Sequence, residues 1–116
     1  MTKGGGPVGI DVNSDGNLVI VDHGVRLFGK KDNGMAELQS FGAGLALQSP
    51  RGVVVDKVNG KVILCDCGNN RMVVLDDGTF IKEFKGDSEW CPKGVCVDVR
   101  TGYLYIAERT RIQVYK

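Results

Sequence analysis

Helix-forming stretches, long apolar runs and a dominant charge are what this 116-residue chain has least of. No apolar stretch approaches the roughly 20 residues of a membrane span, which removes the bilayer from the expected partners. Fifteen basic residues stand against fourteen acidic ones, a formal net charge of +1, so no global field draws the chain to nucleic acid. There is one histidine, His23, and no RING-like Cys/His array. No Ser-His-Asp set, phosphate-cradling loop or paired-carboxylate constellation emerges either, and the chain is expected not to be an enzyme, with no cofactor and no metal. The opening residues Met1 to Gly6 have no apolar core of the kind a signal peptide needs. The compartment expected is therefore reducing and cytoplasmic, with the four cysteines as thiols.

What the chain does have is glycine, seventeen of them, about twice the average usage, between short runs of Val, Ile, Leu and Tyr. Its only prolines lie in three similar segments, Gly6-Pro7-Val8-Gly9-Ile10, Ser49-Pro50-Arg51-Gly52-Val53 and Cys91-Pro92-Lys93-Gly94-Val95. The prolines are spaced by 43 and 42 residues, a period that means stacked supersecondary units. Each unit predicts a strand after Pro-x-Gly (8–12, 53–56 and 95–98) and then a turn at Gly16, Gly60 or Gly102. The middle turn holds an Asn59-Gly60 pair typical of tight hairpins. A second strand follows (17–22, 61–66 and 103–108) and ends on Asp22, Asp66 or Glu108. An arginine, Arg26, Arg71 or Arg111, opens the third strand. A fourth strand reads clearly at 79–84, weakly within 35–41, and is missing after the third unit.

Four antiparallel strands in roughly 42 residues describe a β-propeller blade. The runs Ser49 to Asp56 and Cys65 to Val73, with Phe41-Gly42-Ala43-Gly44 ahead of them, resemble the signature halves and the linker of an NHL repeat. The first unit (Asp22 to Arg26) and the third (Glu108 to Arg111) depart from the pattern in lacking the Asn pair. The fold expected is all-β: blade 1 at about 7–42, blade 2 at about 50–86, and blade 3 at about 92–116 without its outer strand. The resemblance implies half of a six-bladed ring, needing further blades in a longer protein or a second copy to close. It further implies a non-catalytic recognition scaffold like the end of TRIM-NHL proteins that selects a substrate for a ubiquitin ligase, with a protein as partner. Single-stranded RNA on the same face is the alternative, and a piece of a propeller lyase or hydrolase the remote one.

Proline opening a strand has no N–H to leave unpaired, and the glycine two residues on allows close approach or positive φ. The recurring pairs Asp22 with Arg26, Asp66 with Arg71, and Glu108 with Arg111 are expected as structural loop clips. The loops between second and third strands share a face with the interblade linkers, which puts His23, Arg51, Asn69, Asn70, Arg71, Trp90, Lys93 and Arg109 there as candidate binding residues. The cations among them suit phosphate or an acidic peptide, and Trp90 suits either stacking or anchoring a linker. Cys65 and Cys96 align with core positions. Cys67 and Cys91 fall near each other on the loop face, where a disulfide or a zinc site are the lesser alternatives to thiols. Asp11 occupies an aligned core slot, where a lone carboxylate is costly unless exposed or paired across a missing blade.

Overall fold

The structure, a computed structural model, describes residues 8–32, 34–41 and 43–115. Pro7 and Gly42, the first strand entry and part of the first linker, lie outside them. Three antiparallel sheets are stacked. The first joins β1 (Gly9–Val12), β2 (Leu18–Val21), β3 (Val25–Lys31) and β4 (Gly34–Phe41). The second joins β5 (Pro50–Val55), β6 (Lys61–Asp66), β7 (Arg71–Asp76) and β8 (Thr79–Lys85). The third has β9 (Gly94–Val97), β10 (Leu104–Ala107) and β11 (Ile112–Tyr115), with no fourth strand among the described residues. Each strand pairs with its neighbour in sequence, which is what a meander of short loops enforces. Among the described residues the helical structure is confined to two short 3-10 turns, Ala43–Leu45 and Cys67–Asn69.

The burial of each second strand follows from how many faces its sheet covers. In β6, Val62-Ile63-Leu64-Cys65-Asp66 is buried throughout, because blade 2 is flanked on both sides. In β2 burial alternates, with Val19 and Val21 buried and Leu18 and Ile20 half-exposed. β10 alternates too, with Leu104 and Ile106 buried. Two apolar layers result. One between blades 1 and 2 is built on Val21, Val25, Leu64, Val73 and Leu75. The other, between blades 2 and 3, is built on Cys65, Met72, Val74, Trp90 and Ile106. Burying each such side chain contributes about 1.5–3 kcal/mol.

The glycines after the strand entries serve close approach, not positive φ. A Cβ on Gly9 would stand 2.8 Å from the Arg51 carbonyl oxygen, and one on Gly52 the same 2.8 Å from that of Lys93. Successive inner strands therefore touch backbone to backbone. Gly16, Gly60 and Gly102 do take positive φ, at 83°, 77° and 78°. Asn59 does not join Gly60 there, so the expected tight Asn-Gly hairpin is a wider loop instead. The cause is Asp56, whose carboxylate accepts the Val58 N–H at 3.0 Å and the Asn59 side-chain amide at 3.0 Å. Burial works against the Asp56 charge, but these bonds outweigh it and hold its carboxyl below the usual value. Asn13 and Asp98 play the same part in the other two blades.

Two aligned core positions behave differently from expectation. Cys96 is exposed, because it lies on the side of blade 3 that no further blade covers. Asp11 points at blade 2, where it accepts the Val55 N–H at 2.8 Å and lies 3.6 Å from Lys57 Nζ. Its carboxylate thus ties blade 1 to blade 2 within the chain, so neither an exposed end nor a missing blade is needed to explain it. No helix among the described residues is long and apolar enough to cross a membrane.

Candidate functional site

The turns after β2, β6 and β10 and the two interblade linkers meet on one face, and blade 2 shows how. Asp66 is fully buried at the end of β6. Its carboxylate accepts the Gln48 N–H, the Asn69 side-chain amide and Arg71 Nε, each at 2.8 Å. A buried charge is stable only with partners of this kind. Arg71 also donates to Glu83 at 3.1 Å and to the Leu45 carbonyl at 2.5 Å. Burial disfavours the Arg71 charge, but the two carboxylates outweigh it and raise its pKa. The first linker is thereby fastened to the β6–β7 turn, and Gly68 completes the fastening by donating its N–H to the Gln48 carbonyl at 2.7 Å.

Asn70, in left-handed conformation at φ 54°, fastens the second linker through its amide to the carbonyls of Trp90 at 2.8 Å and Ser88 at 3.3 Å. A covalent bond adds to this. Cys67 of the turn and Cys91 of the linker form a disulfide across a Cα separation of 4.4 Å. This corrects the expectation of thiols: the turn and linker of this face bring both side chains together, a proximity set by tertiary structure. Cys65, by contrast, is a buried thiol, and burial pushes its pKa up to about 12.

In blade 1, Arg26 pairs with Asp22 and reaches Glu37 at 3.4 Å. Burial would raise the Asp22 pKa, but the Gly24 N–H and the Arg26 guanidinium outweigh it and lower the value. In blade 3, Glu108 accepts Arg111 Nε at 3.2 Å and also Trp90 Nε1 at 2.8 Å. Trp90 donates as well to Gln113 at 3.0 Å and is 7% exposed, so its ring lies within the layer between blades 2 and 3.

Around Trp90 lies an open groove of about 890 Å³, walled by the second linker and the β10–β11 turn. Lys85, Lys93, Arg109 and Arg111 line it together with Asp87, Glu89 and Glu108. Lys93 and Arg109 are exposed and have no ion-pair partner among the described residues. The structure thus brings Trp90, Lys93 and Arg109 of the sequence candidates into one groove. Asn69, Asn70 and Arg71 are engaged in holding the linkers, while His23 and Arg51 are exposed and line no part of this groove. Sequence reasoning missed Lys85 and Gln113. The alternation of β11, which turns Gln113 to the same side as Arg111, is the signal that could have found the second. Among the described residues no group of three or more His, Cys, Asp or Glu side chains is placed to hold a metal.

Stacked meanders of four, four and three strands whose inner strands lie side by side are blades of a β-propeller, the third partial. The sequence model of the NHL repeat matches residues 47–75, from the first linker to Leu75 of β7. A catalytically inactive virginiamycin B lyase from Staphylococcus aureus, solved with quinupristin, matches over 96% of this chain and 41% of its own, with a TM-score of 0.66 at 18% identity. A streptogramin B lyase matches over 95% of this chain and 39% of its own, with a TM-score of 0.66 at 19% identity. The chain therefore spans about two fifths of either lyase. No curated protein matches it in sequence. At this identity the likeness is one of fold.

These structures correct the expectation that the chain is not an enzyme. The fold it shares is one on which lyases are built, so the architecture gives no ground for setting catalysis aside. What the NHL repeat match does support is a protein-binding scaffold in general terms. The ubiquitin-ligase setting and the RNA alternative draw no support from these likenesses.

Proposed function

We propose that the chain is a recognition scaffold that takes an acidic segment of a protein partner in the groove around Trp90. The observation that carries this reading is the pairing of a stapled frame with unpaired cations. Trp90 is fixed by two hydrogen bonds and the linker beneath it by the Cys67–Cys91 bond, while Lys93 and Arg109 stand exposed on the rim. A preorganised frame lowers the ordering cost of binding, and rim cations steer an acidic partner toward it. An extended segment suits an open trough better than a compact small molecule does.

Selection of a random peptide library on the native chain tests the reading, with a Lys93→Glu, Arg109→Glu double variant as the counter-target. Peptides rich in Asp and Glu should emerge and bind the variant at least tenfold more weakly. Peptides that ignore both substitutions would overturn the groove as the site. Tighter binding of a single-stranded RNA at low salt, falling steeply as salt rises, would favour the RNA reading instead.

A further inference from the structure

The two outward faces of the stack carry apolar residues that match, position for position, residues buried between its blades. The free face of blade 1 presents Ile10, Val12, Leu18, Ile20 and Phe28, with Ile10 61% exposed. Their counterparts in blade 2 are Val53, Val55, Val62, Leu64 and Val73, all buried against blade 1. The free face of blade 3 presents Cys96, Tyr105, Ala107, Ile112 and Val114, with Ile112 70% exposed. Their counterparts are Val54, Ile63, Cys65, Met72 and Val74, which face blade 3. One free face is thus a front and the other a back of the same interface, which the chain already forms twice within itself.

One local feature points the same way. Gly9 and Gly52 leave room for the carbonyls of Arg51 and Lys93 in the next blade, but Gly94, the third of the series, faces no such carbonyl. A Cβ there would meet only Ala107 Cβ, at 3.7 Å.

We propose that the occupant is a second copy of this chain, with blade 3 of each copy seated on blade 1 of the other. Head-to-tail faces close into a ring when the rotation permits, and a two-fold pairing covers all four free faces at once. The lyase chains that share the fold are about two and a half times the matched length, so there the fold is built with more chain than one copy supplies. In the pair, the Val8 carbonyl of the partner copy would take the place by Gly94 that Lys93 takes by Gly52.

Sedimentation of the 116-residue chain tests this. The expected species has twice the 12.5 kDa chain mass. Gly94→Ala should weaken the pair at least tenfold, since the new Cβ crowds only the incoming strand. Ile112→Asp should yield a folded monomer, checked by circular dichroism against the native chain. Cys96 supplies a readout that needs no change in sequence. Its reaction with a maleimide should be at least tenfold slower in the native chain than in the monomeric variant. A native monomer at tens of micromolar, open-ended species larger than the pair, or a pair in which Cys96 reacts at the monomer's rate would each overturn the proposal.

Discussion

Blades 2 and 3 are built on the same plan, yet they hold their loops by different means. In blade 2 a fully buried Asp66 gathers Gln48, Asn69 and Arg71, and both layers beside the sheet are filled. In blade 3 the equivalent Glu108 serves Trp90 and a largely exposed Arg111, and one side of the sheet is open. The repeat supplies the same acid and arginine in each case. Enclosure decides what they are worth, because a charge pair out of water depends on its partners far more than one in contact with it.

Removing the acids is the sharpest way to break the comparison. Asp66→Ala strands Arg71 and two other donors, and urea denaturation should register a loss of about 3–5 kcal/mol. Glu108→Ala leaves Trp90 its bond to Gln113 and leaves Arg111 to water, and should cost only about 1 kcal/mol. Equal losses would show that the two blades are alike after all. Reduction of the Cys67–Cys91 bond comes next. It opens a loop of 24 residues and should lower stability by roughly 2–4 kcal/mol. Because the bond ties the second linker to blade 2, amide exchange should quicken most in β9 to β11.

The last effect is confined to alkali. The Cys65 thiol stays protonated to about pH 12, while in the unfolded chain it ionises near its ordinary 9.0. Between those values the unfolded state alone releases the proton, so stability falls as pH rises, with a slope of up to about 1.4 kcal/mol per unit. Below pH 9 the group contributes no slope. Cys65→Ala, matching Ala107 of blade 3, should flatten this part of the profile, and an unchanged slope would refute the assignment.

The period of the prolines and the acid–arginine spacing made the blades and their strands legible, because both are local and recur. Non-local facts were not. Asn69 and Asn70 read as binding residues on a loop, yet each amide holds a linker carbonyl about 20 residues away. Cys96 reads as core from its aligned position, but burial of a blade face depends on the next blade, which no residue of the strand encodes. Cys67 and Cys91 sit 24 residues apart, and only the stacking of the second linker on the β6–β7 turn brings them to bonding distance. The groove is likewise a product of that stacking, since Trp90 and Gln113 come from different elements.

The same bond has a topological effect. It encloses β7, the Asp77-Gly78 turn and β8 in a covalent circle. Asp77 and Gly78 both take positive φ at the tip of that hairpin, and exposed tips of this kind are where proteases cut. A chain cut there remains one molecule, with its two pieces separating on a denaturing gel only after reduction. The hairpin can be severed without the blades coming apart.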